Sequence, residues 1–169
     1  MVKFIGLALI LAAGTGAGFY ASHRLLQRVR MLEQLERVFG TLLRLLTYSA
    51  APMGQLWRQL ATMDGVGDCP LVADTVNGLE EMPFSAAFGA AVERLSATGQ
   101  LHPSERQLLL SFGMECGRYD LPRQTAQMRG CIQGLEELRD GAREQLKSRG
   151  QVYRMMGVSG GAALALLLM

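Results

Sequence analysis

The sequence is short of nearly everything enzymatic chemistry draws on. Its 169 residues include two histidines, three cysteines and 7% aromatics. His23 and His102 stand apart, with no cysteine or carboxylate at ligand spacing, so no metal-site pattern forms. Cys69, Cys116 and Cys131 are odd in number and lack metal-type spacing, and they read as small buried hydrophobes in a reducing compartment. Alternating β-branched runs are missing, which excludes a sheet and points to an all-α chain. Without a strand there is no strand-to-helix glycine loop, and hence no phosphate cradle. A charge excess is missing too: 17 basic against 15 acidic side chains leave +2, too balanced for a nucleic-acid partner. Glu80 and Glu81, like Glu136 and Glu137, are neighbours that diverge on a helix, and a solvated face explains them better than an acid/base pair. These absences argue against an enzyme: no catalytic group, cofactor, metal or small-molecule substrate is expected.

What the chain does have is apolar length in two places. Residues 4–22 carry no charge. As a helix they span about 28 Å, close to the hydrocarbon core of a bilayer at about 30 Å. So small a protein has no core that could bury a helix apolar all round, and a membrane helix over 1–22 is the expectation. A cleaved signal peptide is the rival. Against it, Ala21, Ser22 and His23 make a poor cleavage site, and Arg24, Arg28 and Arg30 follow at once. Residues 155–169 are also uncharged, but about 22 Å of helix is short for a span. A C-terminal membrane helix or tail is expected there, with a half-inserted segment and a buried core helix as alternatives. Lys147, Arg149 and Arg154 precede it, so basic residues flank both ends of 23–154 and place that segment on the cytoplasmic side.

Between these ends the pattern is helical. Leu25, Val29, Leu32, Leu35, Phe39, Leu42 and Leu46 recur at three- and four-residue steps, which extends the first helix to about residue 50. Pro52 starts a short helix with Met53, Leu56, Trp57 and Leu60 on its apolar side. Residues 64–70 form a loop by their glycines and aspartates, and Pro70 opens the next helix on Leu71, Val72 and Val76. Ser85 is the expected N-cap of a helix striped by Phe88, Ala91, Val92 and Leu95. Pro103 and Glu105 mark a further start, the carboxylate suiting the helix dipole. Asp120 and Pro122 mark the last, a long helix carrying Met128, Cys131, Ile132, Leu135, Leu138, Ala142 and Leu146 to about residue 149. The expected architecture is a compact bundle of about six helices over 23–154, two long and four short, flanked by the two membrane segments.

Three sets of residues are candidates for contact. Gly14 and Gly18, and Gly160 and Gly161, offer small faces for membrane-helix packing, with another subunit or with each other. Gly113 and Gly117 each cost roughly 1 kcal/mol inside a helix relative to alanine, which suggests a close helix crossing. Arg139, Arg143 and Lys147 lie four apart and form a basic stripe. It is either a solvated face leaning towards anionic headgroups or a docking stripe for an acidic partner.

The sequence also resembles the stage III sporulation protein AB family. The resemblance rests on the uncharged first segment, the arginines that follow it, and Leu45, Leu46, Tyr48, Ser49 and Pro52. Phe112, Gly113, Gly117, Asp120 and Gln124, and the later pair Gly160 and Gly161, complete it over essentially the whole chain. Met114, Glu115, Cys116, Arg118 and Tyr119 depart from the pattern. The resemblance implies a bundle similar to the cytoplasmic domain of the type II secretion platform protein F. It also implies a place in the mother cell of an endospore former, in a membrane complex reaching the forespore. Implied partners are the stage III sporulation AA ATPase and other stage III sporulation A membrane proteins. On this reading the chain couples a cytoplasmic ATPase to membrane components; a simple membrane-helix scaffold or a regulatory membrane protein is the alternative.

Overall fold

The computed structural model describes the backbone of residues 2–49, 51–116 and 121–167, and the side chains of 23–49, 51–116 and 121–148. Among the described residues the chain is all-helical: α1 (Val2–Ser49), α2 (Met53–Ala61), α3 (Pro70–Gly78), α4 (Phe84–Ala97), α5 (Pro103–Glu115) and α6 (Leu121–Leu167). Two are long, of 48 and 47 residues, and four are short. Helix α6 continues past residue 149, where its amphipathic pattern ends, to Leu167. Among the described residues no helix is long and apolar enough to cross a membrane. The two expected membrane segments, 1–22 and 155–169, lie outside the residues whose side chains are described.

The chain divides into two units, Met1–Val29 with Asp140–Met169, and Arg30–Arg139. In the first, Val29 and Ala142 are buried, and Arg28 Nη1 donates to Gln145 Oε1 at 3.4 Å.

The second unit holds the core, and the scarce aromatics are gathered in it. The only tryptophan and four of the six phenylalanines form one cluster. Phe39 on α1 meets Phe112 on α5 edge to face at 5.0 Å, and Trp57 on α2 meets Phe88 on α4 at 5.4 Å. Such pairs add about 0.5–1.5 kcal/mol beyond the area they bury. Around them pack Leu32, Leu35 and Leu42 of α1, Leu56 and Leu60 of α2, and Met128 and Leu135 of α6, all fully buried. The stripe expected on α2 is buried as a set. On α3 the buried residues are Leu71, Val72 and Thr75, whose hydroxyl donates to the Leu71 carbonyl at 2.6 Å, while Val76 is only half-buried. Helix α4 begins one residue before Ser85, with Pro83 as its N-cap, so Ser85 lies inside the first turn. Pro83 is extended at φ −64° and ψ 157°, and its carbonyl accepts the first helical bonds from Ala86 and Ala87.

Helix α5 is fixed at its start by a capping box of unusual composition. His102 is the N-cap, Pro103 follows, and the buried Glu105 accepts the His102 backbone N–H at 2.7 Å. His102 Nδ1 in turn lies 3.5 Å from the Ser104 N–H, so orphan donors at this end find acceptors. Arg106, one residue on, forms a two-pronged ion pair with Glu93 of α4, at 2.5 and 3.0 Å. That guanidinium holds the Glu93 carboxyl below the usual carboxylate range.

Helices α4 and α5 cross at Gly113. The residue is buried, and a Cβ built on it would stand 2.5 Å from Cδ1 of the Phe88 ring. Ordinary carbon contacts lie at about 3.5–4.0 Å, so only glycine admits the ring at this depth. Gly117, the second of the spaced pair, lies outside the described residues.

Candidate functional site

Within the Arg30–Arg139 unit, α1 turns one face to the core and another to solvent. The outer face carries Arg37, Gly40, Thr41 and Arg44, spaced so that all four fall on one side of a helix. They line an open cleft of about 730 Å³ whose other wall is Asp64, Gly65 and Val66, from the loop between α2 and α3.

The loop is held in shape by its own backbone. Gly67 and Val66 donate to the Met63 carbonyl at 2.9 and 3.4 Å, and Cys69 donates to Val66 at 3.1 Å. Gly65 has φ 74°, a left-handed conformation open to glycine at no steric cost. Gly67 has no room for a side chain, because a Cβ there would collide with the Ala61 carbonyl. The wall is therefore a tight turn.

The α1 side is open and positively charged. A Cβ on Gly40 would meet nothing within 4 Å, so the cleft reaches down to the helix backbone. Arg44 Nη2 donates to Thr41 Oγ1 at 3.0 Å, which holds that side chain along the helix. Among the described residues neither Arg37 nor Arg44 forms an ion pair, and Asp64 across the cleft forms none either. The Arg37 charge reaches the buried Cys69 thiol. There burial dominates and pushes the pKa up, against the opposing pull of the Leu71 and Val72 N–H groups and of Arg37. Among the described residues no group of histidines, cysteines and carboxylates could hold a metal ion. The cleft joins two cations to an open backbone, which is chemistry for binding carboxylates or phosphates.

The residues singled out from sequence fall in different places. Arg139 is not free on its stripe: it pairs with Glu36 of α1 at 2.5 Å, with only 20% and 15% of the two side chains exposed. Arg143 and Lys147 are exposed and belong to the other unit. Gly113 sits at the α4–α5 crossing, and Gln124 is half-buried in the first turn of α6. Asp120, Gly14, Gly18, Gly160 and Gly161 lie outside the described residues. The three cysteines are buried and unbridged. Cys131 is pushed up to about 12 by burial and then by the neighbouring Cys116, which leaves it inert at neutral pH.

Sequence reasoning read this face of α1 only as the polar side of an amphipathic helix, with Arg37 placed to pair with Glu33 one turn before it; among the described residues Arg37 forms no ion pair. The signal of an open face was available, since positions 37, 40, 41 and 44 lack any large apolar residue while the steps between them are apolar. The loop that completes the cleft lies twenty or more positions further on, and only the fold brings it there.

Comparison with known proteins matches this fold. A family model described as stage III sporulation protein AB covers residues 3–169. Stage III sporulation protein AB of Bacillus subtilis (strain 168) is 25% identical over 171 residues, covering 100% of both chains. A solved structure of a stage III sporulation protein AB superposes with a TM-score of 0.61 at 21% identity, covering 71% of this chain and 96% of that one, and so shares its fold. With the family model running through nearly its whole length, the chain belongs to the stage III sporulation protein AB family, and its role lies in sporulation.

Proposed function

We propose that this protein is a non-catalytic membrane subunit of a secretion-like complex between mother cell and forespore. It couples a cytoplasmic ATPase, the stage III sporulation AA protein, to other stage III sporulation A membrane proteins. The bundle acts as a platform domain of the type II secretion F kind on the cytoplasmic side of the outer forespore membrane.

One observation carries this reading. Helices α1 and α6 each combine an uncharged apolar run, 4–22 and 155–167, with residues of the bundle core, and the helical backbone between them is unbroken. The first run, about 28 Å as a helix, suits the thickness of a bilayer, and the second, about 20 Å, suits a half-inserted tail or a locally thinned bilayer. Membership of the sporulation family supplies the setting.

The test is complementation of an endospore former lacking its own stage III sporulation protein AB. The full chain is expected to restore heat-resistant spores and to stay in the membrane pellet after an alkaline carbonate wash. Replacing Leu9 and Leu11 by lysine should release it and abolish spores. Recovery of the wild-type chain in the carbonate supernatant would overturn the reading.

A further inference from the structure

We propose that the cleft between α1 and the α2–α3 loop docks an acidic amphipathic helix of a partner protein. This rests on the reading of the chain as a partner-binding subunit and names the surface through which it binds.

Five observations converge on that occupant. Arg37 and Arg44 are exposed and form no ion pair among the described residues, although Glu36 and Glu93 show that nearby guanidinium groups do find carboxylates. They sit seven positions apart on one helix face, two turns and about 10.5 Å, which matches carboxylates two turns apart on a second helix lying along α1. Between them Gly40 leaves the floor open, since a Cβ there meets nothing within 4 Å, so a partner backbone can approach closely. One turn further, Tyr48 is 95% exposed at the end of α1, an aromatic of the kind that anchors protein interfaces. Asp64 on the far wall favours a basic or neutral group on the partner's other edge and so fixes its orientation. By contrast the α6 stripe has its first member, Arg139, held by Glu36.

The probe is a fluorescein-labelled helical peptide of about 18 residues, long enough to stay helical, with glutamates seven apart. Anisotropy is read against the full chain in non-ionic detergent. The double variant Arg37→Glu and Arg44→Glu should weaken binding by roughly tenfold or more. Gly40→Leu, which fills the floor without changing charge, should weaken it comparably. Arg129→Glu, an exposed reversal on α6, should leave it unchanged. A peptide with lysines for glutamates should bind the double variant better than it binds the wild type, which shows that the variant is folded. Equal losses with Arg129→Glu, an unchanged affinity in the double variant, or no binding of the glutamate peptide would each overturn the site. Displacement of the peptide by phosphatidylglycerol in the micelle, with the same arginine dependence, would make the occupant a headgroup layer and overturn it too. If the peptide fails while the wild-type chain still co-purifies with its membrane partners, the cleft is wrong and the platform reading stands. If the wild-type chain co-purifies with none, the platform reading itself falls.

Discussion

Replacing Gly113 by alanine sets two effects of similar size against each other. In a helix interior, alanine is better than glycine by about 1 kcal/mol. Here its methyl would enter to 2.5 Å from Phe88 Cδ1. Restoring ordinary contact needs a shift of about 1 Å in a ring that has little room to give. Phe88 is fully buried, with Trp57 at 5.4 Å, Phe84 at 5.6 Å and Phe112 at 5.8 Å. Overpacking of this kind costs about 1–3 kcal/mol, so the net is a loss of about 1 kcal/mol. For a chain of this size that lowers Tm by about 2–4 °C. Gly130→Ala in α6 is the matched control, because a Cβ there meets nothing within 4 Å. It should raise stability by about 0.5–1 kcal/mol. Thermal unfolding of the full chain in mild detergent, followed by circular dichroism, gives both signs in one experiment. Adding Phe88→Leu should remove most of the penalty of Gly113→Ala, a coupling of about 0.5–3 kcal/mol. A rise in Tm for both alanine variants would refute the crossing as the reason for glycine at 113.

Other expectations follow from single contacts. Glu105→Ala leaves the His102 N–H without its 2.7 Å acceptor and should cost about 1–2 kcal/mol in thermal unfolding, whereas Glu105→Gln should cost less. Arg139→Met leaves Glu36 largely buried beside an apolar chain and should cost about 1–3 kcal/mol, with Glu36→Gln in the same chain recovering part of it. Cys131, raised from 9.0 to about 12, should resist iodoacetamide at pH 8 in the folded chain and react at once in denaturant, as mass spectrometry can read. The same thiol sets a sign for alkaline stability. The folded state keeps its proton better, so the contribution is full below about pH 9 and is lost as pH rises towards 12, by about 1.4 kcal/mol per unit at most. Denaturation of Cys131→Ala should show a flatter profile across that window.

Local signals carried most of the fold. Proline at the start of α3 and α5, the glycine-rich loop after α2 and the three- and four-residue apolar steps of α1 each depend on neighbours in sequence, and each stands where expected. The misplaced N-cap on α4 has a local cause as well: the Pro83 carbonyl opens the helix, and Ser85 comes too late to serve. The α5 box was hidden by composition, because histidine takes the place a serine or threonine usually holds opposite Glu105. What stayed out of reach is long-range pairing. Nothing near Arg139 announces Glu36, 103 positions away, so three basic residues at even spacing looked equivalent when one was committed to the core rim. The cleft was illegible for the same reason, since half of it is helix face and half is a loop from a separate stretch. The three cysteines are buried, as small hydrophobes were expected to be.

The claim on which the rest depends is that this chain works by holding protein partners at a membrane. Its most direct test is affinity purification of the tagged full chain from detergent-solubilised membranes of sporulating cells, followed by quantitative mass spectrometry. The stage III sporulation AA ATPase and other stage III sporulation A membrane proteins should be enriched with the wild-type chain and lost with the Arg37→Glu, Arg44→Glu double variant. A wild-type chain that purifies intact from the membrane with none of them would contradict the claim.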